Sequence, residues 1–83
     1  MSRKATRHVS EVRHTGFAAK LRQALAEDKL TAEDFSRRID RTLRTVQRWR
    51  AGESQPTGAD LVLIARELKR DPSWFYEDLG EAA

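Results

Sequence analysis

Apolar residues recur along this chain at intervals of three and four, and the strict alternation expected of a half-buried strand is absent. Phe17, Leu21, Ala24 and Leu25 fall on one helical face, with Thr15 placed to cap it and an end expected near Asp28–Lys29. Phe35 and Ile39 mark a second helix, capped by Thr31 with Asp34 three positions on. Asp40 and Arg41 make a short break. A third helix then runs from a Thr42 cap to about Ala51, with Val46 and Trp49 inward and Gly52 as its stop. Pro56 forces a loop, after which Thr57 and Asp60 repeat the cap pattern for a helix lined by Leu61, Ile64, Ala65 and Leu68. Asp71 followed by Pro72 is a strong helix start, and a short fifth helix is expected to carry Trp74 to Leu79. The pattern therefore predicts an all-α fold of five short helices. Residues 1–14 are expected to form a flexible basic arm, 15–79 the domain, and 80–83 a tail.

Composition narrows the class. The chain has 83 residues, enough for one small core. It has no cysteine and only two histidines, His8 and His14, so neither a disulfide framework nor a histidine- or thiolate-led metal site is expected. No apolar run reaches membrane-spanning length, and a cytoplasmic protein without a cofactor is expected. The net charge of +3 is modest, but its distribution is not. Residues 37–50 carry six arginines against Asp40, whereas residues 71–83 carry acids only. A basic segment of this kind suits a polyanion.

Two helices of eight to ten residues joined by so short a break have helix-turn-helix spacing. Advancing about 100° per residue along the third helix puts Val46 and Trp49 on one side. Arg44, Gln47, Arg48 and Ala51 fall on the other, with Leu43 at its edge. Arginine can donate two parallel hydrogen bonds to guanine O6 and N7. Glutamine matches adenine N6 and N7, and an apolar side chain can touch a thymine methyl. Leu43, Arg44, Gln47 and Arg48 are thus the candidate base contacts, and Thr45, at the border of the buried side but near the helix start, can reach a phosphate or a base edge. Arg37, Arg38, Arg41, Thr42 and Arg50 are the candidate phosphate contacts. Arg3, Lys4 and Arg7 suit an arm that wraps a duplex. Three consecutive aromatics, Trp74 to Tyr76, cannot all face one core, so Trp74, Phe75 and Leu79 are candidates for contact with a second copy. No nucleophile or acid–base constellation points to an enzyme.

The stretch LTAEDFSRRIDRTLRTVQRWRAGESQP, with LVLIARELKRDPSWF after it, resembles the Cro and phage-repressor type of helix-turn-helix domain, the XRE family. The resemblance covers about Phe17 to Leu79. It rests on Leu30, Glu33, Phe35, Ile39, Val46, Trp49, Gly52 and Pro56 at apolar or structural positions, and on a small Ser36 where the helices approach. It implies a lambda-repressor-like fold and a recognition helix beginning at Thr42. It also implies a transcription regulator, expected to be a repressor of prokaryotic or phage origin that binds double-stranded DNA as a homodimer. The chain departs from the family at four places. Asp40 replaces the turn glycine, a role Asp tolerates better than most residues. Arg41 replaces an apolar residue, and either meets a phosphate or marks a divergence. Ala32 replaces a glutamine that contacts the DNA backbone. Arg50-Ala51 replaces an acid and a base. Two other readings stay open: an antitoxin or adaptor that binds a protein through its aromatic end, and an excisionase-like architectural DNA-binding protein. The second needs a wing hairpin where Thr57–Arg70 reads as helix.

Overall fold

The computed structural model describes residues 16–77. The arm with Arg3, Lys4 and Arg7, the Thr15 cap and Leu79 lie outside them. Among the described residues, four α-helices and one 3₁₀ helix follow in order: α1 (16–27), α2 (Ala32–Arg38), α3 (Leu43–Ala51), α4 (Gly58–Glu67) and a 3₁₀ helix at Pro72–Tyr76.

The starts follow side-chain chemistry. Thr31, Thr42 and Thr57 each sit in extended backbone and accept the N–H of the residue three positions on, at 3.0, 3.1 and 3.1 Å. Each bond satisfies one of the donors that a helix start leaves without a partner, worth about 1 kcal/mol per cap. The ends share one backbone solution. The N–H groups of Leu30, Arg41, Glu53 and Arg70 reach back to the carbonyls of Leu25, Ser36, Arg48 and Ala65 at 2.8–3.0 Å. In every case the preceding residue is left-handed: Lys29, Asp40 and Lys69 at φ 57°, and Gly52 at φ 78°. Such endings favour glycine, and only α3 has one.

The core gathers the inward stripes of all the helices. Phe17, Leu21, Ala24 and Leu25 come from α1, Ala32 and Phe35 from α2 with Ile39 just after it, and Val46 and Trp49 from α3. Ile64 and Ala65 of α4, then Leu68 and Phe75, complete it. Burying one such phenylalanine contributes roughly 1.5–3 kcal/mol. Ser36 is buried against this core with its hydroxyl donating to the Glu33 carbonyl at 2.7 Å, so the one polar side chain of α2 that faces inward is satisfied locally.

A fifth helical element is present: it begins as a 3₁₀ helix over Pro72–Tyr76 and Glu77 at its end is already α-helical, while Asp78 and Leu79 lie outside the described residues. Asp71 accepts from the Ser73 N–H at 2.9 Å and its carbonyl accepts from Trp74 N–H at 2.9 Å, which winds the turn tightly. Three residues per turn spread consecutive side chains around the axis. Phe75 therefore enters the core beside Phe17, with centroids 5.6 Å apart, while Tyr76 stacks on Phe17 at 5.8 Å. Trp74 meets the Phe75 edge at 5.0 Å, with Lys20 Nζ 4.3 Å and the Arg70 guanidinium 5.1 Å from its ring centroid. Arg70 also bonds Glu27 and Asp28, at 2.6 and 3.3 Å, which ties the end of α4 to the end of α1. Burial works to lower the Arg70 pKa, but these carboxylates outweigh it and raise it. Glu27 is held below its ordinary value, first by the Gln23 amide and then by Arg70.

Candidate nucleic-acid interface

The packing of α2 against α3 decides which residues of the third helix reach solvent. Val46 and Trp49 are buried, so the helix cannot rotate about its axis without emptying the core. The opposite face is left outward. Leu43, Arg44, Gln47, Arg48 and Ala51 are exposed, and Thr45 is half-buried. Arg44, Gln47, Arg48 and Ala51, with Glu53 just beyond the helix, line one shallow open concavity of about 350 Å³. Of the base-contact candidates, Arg44, Gln47 and Arg48 are thus brought together on one surface, which Leu43 and Thr45 do not line.

Thr42 is engaged twice. Its hydroxyl accepts the Thr45 N–H and donates to the Thr45 hydroxyl at 2.9 Å. This fixes both threonines at the helix start, where the remaining free N–H groups favour an anion.

The flanking arginines are placed less uniformly. Arg37 is exposed and pairs along its own helix with Glu33 at 3.2 Å and Asp34 at 3.7 Å. Arg38 pairs with Glu67 of α4 at 3.2 Å. Arg41 is turned to Asp60: Nε and Nη2 donate to Oδ1 at 3.1 and 2.8 Å, and Nη1 donates to the Asp40 carbonyl at 3.0 Å. The divergence at position 41 therefore has a local cause. An arginine in place of an apolar residue finds an acid at the start of α4 and bridges the helix-turn-helix to it. Arg50 is half-buried. Its carbonyl accepts from Arg22, while its own Nε is enclosed without a hydrogen-bond partner. Among the described residues, Arg44 has no acid paired with it, and Arg48 has only a loose one, Glu53 at 3.9 Å. Surface pairs of this kind are worth about 0–1 kcal/mol, so Arg37, Arg38 and Arg48 can exchange them for a stronger anion.

The aromatic end is placed differently from expectation. Phe75 is fully enclosed, which removes its ring from the surface offered to a second copy, and Trp74 is half-buried. Sequence reasoning overlooked Asp60 as a side-chain partner, having read it only as a cap residue. It also overlooked Glu53 and Arg22. The signal for Glu53 is its position directly after the α3 stop, which returns the chain to Arg48. Among the described residues no group of His, Asp or Glu is arranged to hold a metal ion, and no helix is long and apolar enough to cross a membrane.

An arginine-rich helix locked by a buried Val–Trp pair, braced by a second helix across a left-handed turn, is the architecture of a DNA-binding regulatory domain. Comparison with known families agrees. The model described as Helix-turn-helix matches residues 21–75, from the middle of α1 to Phe75. No curated protein and no solved structure gives a significant match. The matched span covers most of the chain, all of α2, α3 and α4, and the turn that sets α3: the chain belongs to the helix-turn-helix family.

Proposed function

We propose that this protein is a sequence-specific double-stranded DNA-binding transcription regulator of the Cro and phage-repressor (XRE) kind. It acts as a repressor that presents two copies of α3 to successive major grooves. The observation that carries this reading is the outward face of α3. Arg44, Gln47 and Arg48 meet on one concave surface while Val46 and Trp49 anchor the same helix. Arginine and glutamine are the side chains whose donors and acceptors match guanine and adenine edges in the major groove. Leu43, exposed at the helix start, is placed for a thymine methyl, and Thr42 and Thr45 for the adjoining phosphate or base edge. Steric occlusion of polymerase by a bound dimer requires no catalysis and no cofactor.

Selection from a random duplex library tests the proposal, with the wild type, Arg44→Ala and Arg48→Ala run in parallel. The wild type enriches a defined site, and each variant loses preference at one base position, by about 1–3 kcal/mol per lost bidentate contact. Absence of enrichment, or an unchanged site in both variants, refutes the assignment of this face. Sedimentation with and without the enriched duplex reports the dimer.

A further inference from the structure

Glu53 introduces a negative charge into a surface whose other charged lining residues, Arg44 and Arg48, are positive. Its carboxylate is 3.9 Å from Arg48 Nε, and both side chains are more than half exposed. Its position is not accidental wandering of a loop. Gly52 turns left-handed, and the Glu53 N–H then bonds the Arg48 carbonyl at 2.9 Å. The backbone is thus tied to the residue whose side chain the carboxylate faces. Glu53 is the one acid lining the concavity, and α3 itself contains none. The closest approach is through Nε, so Nη1 and Nη2 of Arg48, the fork that meets guanine O6 and N7, are left to a ligand.

We propose that Glu53 is a specificity-determining residue that works by charge: it suppresses binding to non-cognate duplex more than binding to the cognate site. The inference rests on the DNA-reading role of α3 given above. Non-cognate binding is almost entirely attraction to phosphates. A carboxylate beside Arg48 cancels part of that attraction and repels the same phosphates. At the cognate site Arg48 instead gains two directional bonds to a base edge, which do not depend on the local net charge to the same extent. The fixed acid therefore lowers both affinities unequally and widens their ratio.

The test compares Glu53→Gln with wild type on two probes: the duplex enriched from the random library, and a scrambled duplex of equal length and composition. Glu27→Gln removes the same unit of charge at a residue that pairs with Arg70 instead of α3, and serves as the control. Glu53→Gln is expected to bind the scrambled duplex about fivefold more tightly, with its salt slope steeper by about one. Affinity for the enriched duplex rises by less than half as much on a logarithmic scale, and the ratio between the probes falls. The Glu27 variant leaves that ratio unchanged. An unchanged or larger ratio in Glu53→Gln overturns the proposal, as does an equal fall in the Glu27 control. If the wild type enriches no duplex, the reading of α3 fails and this inference fails with it. If it enriches one and only the ratio fails to move, Glu53 alone is refuted.

Discussion

Replacing Asp60 and Arg41 by alanine, singly and together, measures how firmly α4 holds the turn between α2 and α3. Two donors of one guanidinium converge on a single carboxylate oxygen at 2.8 and 3.1 Å, with the side chains 37% and 19% exposed. That exposure places the pair between two limits. Fully exposed ion pairs contribute about 0–1 kcal/mol, whereas removing one partner of a buried pair costs about 3–5 kcal/mol. Hydrogen bonds to charged groups fall near 1.5–3 kcal/mol, and partial solvent screening trims this to a coupling of about 1–2 kcal/mol. Asp60→Ala alone costs somewhat more than the coupling. It also deletes an acid from the first turn of α4, worth a further 0.3–1 kcal/mol or so, although the Thr57 cap survives. The assay is urea unfolding of the four proteins, followed by tryptophan fluorescence and circular dichroism and combined in a double-mutant cycle. For a domain of this size each kcal/mol moves the melting temperature by roughly 4–8 °C. A coupling below about 0.3 kcal/mol, the scatter expected of independent sites, refutes the claim that Arg41 braces the turn through Asp60.

Other outcomes follow from the same geometry. Lys29→Gly and Lys69→Gly relieve left-handed backbone at two helix ends and should each raise stability by about 0.5–1 kcal/mol, read as an increase in urea midpoint. Phe75→Ala empties a fully buried site and should cost about 3–5 kcal/mol, with loss of the circular dichroism signal at a correspondingly lower temperature. Glu27 is lowered by Gln23 and Arg70, and Asp71 by the Ser73 N–H and hydroxyl. Carboxyls lowered in the folded state add stability that is complete above the ordinary carboxylate range and lost as pH falls through that range and below it. The urea midpoint should therefore drop on acidification, and drop less in Glu27→Gln. Arg37→Ala should weaken cognate and scrambled duplex alike and flatten the salt slope by about 0.9, measured by titration at several salt concentrations.

Much of the fold was legible because helix starts are written in side chains. Thr31, Thr42 and Thr57 announce their caps by type and by the polar residue that follows, and Val46 with Trp49 fixes the rotation of α3 by spacing alone. The endings were harder to read. The usual signal is glycine, and here lysine takes the left-handed position twice. The helix start at Asp71-Pro72 was legible, but Asp-Pro starts either kind of helix, and only the i to i+3 bonding shows that this one begins as a 3₁₀ helix. At the candidate interface, angular position separated the face of Arg44 and Arg48 from the buried one. It could not show that Arg41 turns to Asp60 or Arg38 to Glu67, because those partners lie far along the chain and meet only once α4 has docked.

Phe17 and the Phe75–Tyr76 pair come from opposite ends of the described chain, yet their rings touch. Closing so long a loop carries an entropic cost that is recovered only when everything between is already in place. The contact therefore acts as a clasp on the whole unit. A short hairpin of α2 and α3 alone is expected not to fold, because Phe35, Val46 and Trp49 share the core that the clasp seals. Opening at the aromatic turn would expose that core at once, so partial fraying offers little relief. The domain is expected to unfold in one cooperative step, and amides in α3 should exchange with solvent only through global opening.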